Sequence, residues 1–176
     1  GEAPDRIPAT ARIGHGPAFV AEADEYAGNF DPYRPAIAVL TSVDWDHPDV
    51  FADLDAVVEA FVAWLGAAAA DGSRPVLVAN VGDPGVARVV DHLGDWPGHL
   101  MATALIDGDA DQLAGEAGRI AVRYGTGLPP TRVLVGRVAA VDRASTTVEV
   151  IGIRGDGGTD VVQLATAGRH NAANAL

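Results

Sequence analysis

The sequence predicts an α/β fold: an open, mostly parallel sheet flanked by helices in three layers, with an antiparallel β-meander in the C-terminal half. Three observations carry this. Ala36–Leu40 and Pro75–Asn80 are short apolar runs, and a stretch of helical character follows each. Strand, helix, strand, helix in that order indicates parallel strands joined by crossovers. From Arg132 onward the pattern changes to β-rich runs separated by turn residues.

Composition bounds the reading. The 176 residues fit one ordinary domain or a large piece of a bigger protein. Apolar residues make up 48%, enough for a core. No apolar run reaches the roughly 20 residues of a membrane span, and no basic start followed by an apolar stretch marks a secretion signal. Cysteine is absent, which excludes disulfides, zinc-thiolate sites and thiol nucleophiles. All 12 basic residues are Arg, and the formal charge is −12. Without Lys there is no Schiff-base chemistry and no Walker-type phosphate loop. The acidic balance argues against nucleic acid or an anionic membrane as partner.

The elements follow in order. Gly1–Pro8 is rich in Pro and charge, and residues 1–17 read as a loose lead-in to one α/β domain over 18–176. Ala18–Ala21 reads as a short buried strand running into Glu22-Ala23-Asp24-Glu25. Ala36–Leu40 reads as a strand buried on both faces. Leu54, Val57, Val58, Phe61 and Leu65 form one helical stripe, capped by Asp49 or Asp53 and ended by Gly72. After the Pro75–Asn80 strand, Asp83-Pro84-Gly85 opens a helix that runs to Gly94, with Pro where its missing N–H costs little. Leu100–Ile106 reads as a strand. Gln112–Arg123 reads as a short helix giving way to a strand at Ile120–Tyr124, before a loop over Gly125–Pro130. The meander comprises Arg132–Asp142, Thr146–Arg154 and Asp160–Thr166, with a hairpin turn at Gly155–Gly158. Gly168–Leu176 reads as the opening of a helix.

Three clusters could carry chemistry. Glu22-Ala23-Asp24-Glu25 follows a strand, and ligands of open α/β sheets bind outside the carboxyl ends of strands. Carboxylates there can hold a cation or transfer protons; the plainer alternative is a solvated loop. Asp46-His47 follows the next strand at an equivalent position; alone, such a pair is more often a capping or surface feature. Asn171 and Asn174 share a helical face and could read an adenine edge, or simply begin a helix. His15, His92 and His99 are scattered, and Trp45 and Trp64 read as packing residues. Gly14-His15-Gly16-Pro17 precedes a strand instead of following one, which excludes a phosphate loop.

Together the clusters resemble the central domain of the Mur ligases. The resemblance rests on Val20-Ala21-Glu22-Ala23-Asp24-Glu25-Tyr26, Phe30, Pro35 through Thr41, Asp46-His47-Pro48-Asp49, and Gly168-Arg169-His170-Asn171 with Asn174-Ala175. It covers about Ala18 to Leu176 and is diffuse between Asp95 and Asp160. In pattern it is nearest to the members that join L-alanine to UDP-N-acetylmuramate. It implies a cytoplasmic, ATP- and Mg2+-dependent ligase of peptidoglycan synthesis that activates a carboxylate as an acyl phosphate for attack by an amine. Carried over, Glu22 ligates one magnesium, His47 ligates or orients a second, and Arg169, His170, Asn171 and Asn174 lie at the nucleotide, the last three against the adenine.

The sequence also departs from the family. The Gly-rich phosphate loop ending in Lys is missing, as are the domains for the UDP-linked substrate and for the amino acid. Ser42 stands where the family usually has Asn, Ala27 where it has Asp, and Ala167 where it has Pro. Little or no ligase activity is expected of the isolated chain, and an exposed sheet edge is expected to favour self-association. A related murein peptide ligase and a non-catalytic interaction module are the alternatives.

Overall fold

The computed structural model describes residues 14–124, 132–154 and 156–176. The lead-in before residue 14, the expected loop at 125–130 and Gly155 of the hairpin turn lie outside the described residues. One six-stranded sheet organises the rest, in the order β1 (Ile37–Leu40), β2 (Val76–Asn80), β3 (His99–Ile106), β4 (Arg132–Val141), β5 (Thr146–Ile151) and β6 (Thr159–Leu164). β1 to β4 run parallel, and β4, β5 and β6 are antiparallel. The mixed sheet with its meander is the expected fold.

The helices α1 (Leu54–Ala68), α2 (Pro84–Leu93) and α3 (Ala110–Tyr124) cover one face. Leu40, Leu77 and Ala79 meet Val57, Val58 and Leu65 of α1 and Val86 and Val89 of α2 there. Further along, Ala102, Ala104 and Val135 meet Leu113 and Ile120 of α3. The short helix α4 (Arg169–Ala175) lies on the opposite face, where Ala172 packs with Val148 and Val150. The helix starts follow the caps written in the sequence. Asp53 accepts from the Ala56 N–H at 2.9 Å. Asp109 and Gln112 form a reciprocal capping box, each side chain bonding the other's backbone N–H at 2.9–3.0 Å.

Three expectations are corrected. Ala18–Ala21 is not a strand: it carries no ladder partner among the described residues, and Phe19 and Val20 are 88% and 90% exposed. A β-prone run without a neighbouring strand leaves its backbone groups to water. β1 is buried on one face only. Ala38 and Leu40 point into the core, whereas Ile37 and Val39 are 62% and 60% exposed. β1 is the sheet edge among the described residues, and α4 covers the other face only around β3 to β5. Ile120–Tyr124 is helix, the continuation of α3. Leu113, Ala117, Ile120 and Tyr124 form a single stripe against the sheet, while the β-branched Val122 faces solvent.

Asp142, in the turn between β4 and β5, accepts from Ser145 Oγ at 2.6 Å and from the Ala144 and Ser145 backbone N–H groups at 2.7 Å. The Ser145 hydroxyl first, then these amides, hold its carboxyl below the usual 3.8. A depressed carboxyl adds stability that is present above its unfolded pKa and lost as pH falls through its folded value. Urea unfolding is therefore expected to show stability falling below about pH 4, with part of that fall absent in Asp142→Asn. Identical acid limbs for the two proteins contradict this.

Candidate functional site at the carboxyl end of the sheet

The loop that leaves β1 is clamped to the neighbouring strand and helix. Asn80, at the end of β2, donates its side-chain amide to the Thr41 carbonyl at 2.9 Å. Asp83 Oδ1 accepts from the Val43 N–H at 3.1 Å and from the Val86 N–H at 2.9 Å, so one oxygen caps α2 and holds the loop. Val43 is buried beneath. Gly85, in the first turn of α2, lies so close that a Cβ there would fall 1.8 Å from the Val43 carbonyl oxygen.

His47 follows on this loop in a tight turn. Its carbonyl accepts from the Val50 and Phe51 N–H groups at 2.8 and 2.9 Å, and its own N–H donates to Asp46 Oδ1 at 2.7 Å. Trp45, half exposed, donates its indole N–H to the Phe51 carbonyl at 3.0 Å. His47 has φ 57°, the left-handed region that side chains with a Cβ rarely occupy. Its Nε2 lies 4.0 Å from Asp46 Oδ2.

The acidic segment reaches this turn through Tyr26. The Tyr26 and His47 rings stand 4.6 Å apart, tilted at 51°. Tyr26 Oη donates to Asp49 Oδ2 at 3.2 Å; that bond and the Asp49 charge hold the phenol above its usual 10.0. Asp24 accepts from the Tyr26 N–H at 3.1 Å and the Asn29 side-chain amide at 2.9 Å, which occupies it structurally. Ala27, standing where the resemblance leads one to expect Asp, has φ 50°, a conformation that Asp and Asn tolerate better. Phe30 is buried, stacked on Phe61 of α1 at 5.4 Å and edge-on to Trp64 at 5.0 Å. Glu22 lies exposed in the irregular segment before the turn. Among the described residues no hydrogen bond or ion pair joins it to His47, and no group of three or more His, Asp or Glu side chains is placed to hold a metal.

The third cluster is tied to β3. The Arg169 guanidinium donates to the Leu105 and Ile106 carbonyls at 3.0 and 3.4 Å and pairs with Asp107 at 2.8 Å. Gly168, at φ 107°, turns the chain into α4, and its N–H donates to buried Thr146 Oγ1 at 2.9 Å. Asn171 donates to the Ala167 carbonyl at 2.8 Å, and the Asn174 side chain meets His170 Nε2 at 3.1 Å. His170, Asn171 and Asn174 are exposed, away from the buried Ala172. β1, β2 and β3 run parallel, so the His47 loop and Arg169 lie at the same end of the sheet. Their strands are two ladder steps apart, about 10 Å. An open cleft of about 380 Å³ lies beside them, between α3 and the ends of β2 and β3, lined by Val81, Gly82, Ile106, Arg119 and Tyr124 and by none of the expected site residues.

Comparison with known proteins gives a consistent result. A UDP-N-acetylmuramate–L-alanine ligase from Frankia alni is 35% identical over 94% of this chain, and one from Renibacterium salmoninarum is 37% identical over 94%. A protein of the same name from Mycobacterium leprae is 30% identical over 94%. By sequence, this chain belongs to the Mur ligase family. It spans 24% of the length of the first of these relatives and 29% of the other two. No family model matches the chain. Among the described residues no helix is long and apolar enough to cross a membrane.

The residues that hold this Mur ligase segment in shape are Asn80, Asp83, Gly85 and Asp49, none of which the sequence marks for that role. Gly85 offers a test of sign. Helix propensity alone favours Gly85→Ala by up to about 1 kcal/mol. The close approach of Val43 reverses this, and we expect a loss of about 2 kcal/mol or more, read as a lower urea midpoint at unchanged slope. A variant as stable as the parent contradicts the clamp.

Proposed function

We propose that this chain supplies the cation- and nucleotide-contacting part of an ATP-dependent ligase that joins L-alanine to UDP-N-acetylmuramate in cytoplasmic peptidoglycan synthesis. The observation that carries the reading is the contact between the acidic segment and the His47 turn at the carboxyl end of the sheet. The names of the relatives supply the reaction.

In this reading Glu22 offers a hard carboxylate oxygen to magnesium, which commonly takes one or two protein donors and fills its shell with water and phosphate oxygens. His47 ligates or orients a second cation; imidazole is an unusual magnesium ligand and a better one for manganese. Bound magnesium neutralises charge on the transferring phosphoryl group. Asn171 and Asn174, with His170 beside them, present amide donors and acceptors to the adenine, and Arg169 anchors that helix. The substrate carboxylate takes the terminal phosphoryl group, ADP leaves, and the amine of L-alanine displaces phosphate from the acyl phosphate. The phosphate cradle and both substrate-binding surfaces come from parts of such an enzyme beyond this stretch, so the isolated chain turns over little or no substrate. β1, the sheet edge among the described residues, with Ile37 and Val39 exposed, favours self-association.

Calorimetric titration with manganese and a non-hydrolysable ATP analogue tests the reading. Saturable binding is expected, weakened about tenfold, or 1.4 kcal/mol, by Glu22→Ala. Asn171→Ala with Asn174→Ala is expected to erase any preference for adenine over guanine. No saturable binding, or binding indifferent to Glu22→Ala, overturns the reading and favours the non-catalytic module.

A further inference from the structure

We infer that Tyr26 is a positioning residue that holds the imidazole of His47, and so couples the acidic segment to the histidine turn. This rests on the reading of His47 as a cation-site residue.

The backbone of His47 is fixed by its own turn. The carbonyl accepts from Val50 and Phe51, and the N–H donates to Asp46. A left-handed conformation costs a residue with a Cβ about 1–2 kcal/mol, and these three bonds hold it there. The ring is a separate matter. Its Nε2 is 4.0 Å from Asp46 Oδ2, beyond hydrogen-bond reach, and makes no closer ion pair among the described residues. The aromatic group against the ring is Tyr26, at 4.6 Å between centroids.

Tyr26 is itself held at both ends. Its N–H donates to Asp24 Oδ1, whose carboxylate also accepts from Asn29. Its hydroxyl donates to Asp49 Oδ2, two residues beyond His47. The phenol thus spans the turn, with its ring on one residue and its oxygen on another. A ring held this way restricts the imidazole to the side of the loop that the acidic segment occupies. That favours a cation at His47, because a ligand left free to rotate loses affinity through the entropy of ordering it.

The test uses the intact chain and two readouts. The first is the ring-proton shifts of His47, assigned by their loss in His47→Gln. In the parent they are expected upfield of a solvated histidine, because the ring lies against Tyr26. Tyr26→Ala is expected to return them to solvated values, and Tyr26→Phe, which keeps the ring but loses the hydroxyl bond to Asp49, to leave an intermediate displacement. Asp49→Ala is expected to reduce it, since it frees the phenol without removing the ring. The second readout is broadening of the His47 signals by Mn2+. Tyr26→Ala is expected to weaken Mn2+ binding about tenfold, with Tyr26→Phe and Asp49→Ala between it and the parent. Unchanged ring signals from His92, far along α2, report that each variant remains folded; if Tyr26→Ala unfolds, Asp49→Ala decides. Parent shifts at solvated values, or shifts and Mn2+ affinity unmoved in Tyr26→Ala, overturn the inference. Displaced parent shifts with no Mn2+ broadening refute the cation reading instead and leave the hold of Tyr26 on the ring established.

Discussion

Asp83 Oδ1 receives two backbone N–H groups, one from the first turn of α2 and one from the loop after β1. Each bond is worth only about 1 kcal/mol net, but the shared acceptor sets where the loop lies relative to the sheet. Asn80, at the end of β2, repeats the tie through Thr41. Gly85 permits the close approach that both bonds require. With Thr41 and Val43 fixed, the chain can enter the His47 turn from one direction only. The acidic segment then joins that turn through Tyr26, and Phe30 pins the far side of the segment against α1.

The α4 side of the candidate site depends on a different strand. Arg169 ties α4 to the last carbonyls of β3, and Thr146 on β5 supports the glycine that precedes it. Neither side of the site rests on the other directly. The parallel ladder from β1 through β2 to β3 fixes their separation, and a sheet is stiffer than any loop that could do the same work.

Much of this was legible in sequence. The caps at Asp53 and Asp83, the helical stripe of α1 and the β-rich runs after Arg132 all correspond to elements, because local periodicity and capping chemistry decide them. What failed was decided by distant neighbours. Ala18–Ala21 has strand composition, but composition cannot supply a ladder partner. Ile37 and Val39 are apolar like Ala38 and Leu40, and only the placement of α4 leaves them exposed. Ile120–Tyr124 reads as a strand in isolation, yet the helical spacing of Leu113, Ala117, Ile120 and Tyr124 is the stronger signal. At the site, Glu22, His47 and the α4 residues stood out by type and order. The holding residues did not: Tyr26 and Asp49 lie 23 positions apart, and Asp83 bonds Val43 across 40, separations at which no local pattern registers.

The clamp at Asp83 is most directly tested by native-state hydrogen exchange at the Val43 amide. Protection comparable with the β1 and β2 ladder amides, lost selectively in Asp83→Ala while those amides stay protected, is the predicted result. A Val43 amide that exchanges in the parent as fast as an unstructured peptide contradicts the account.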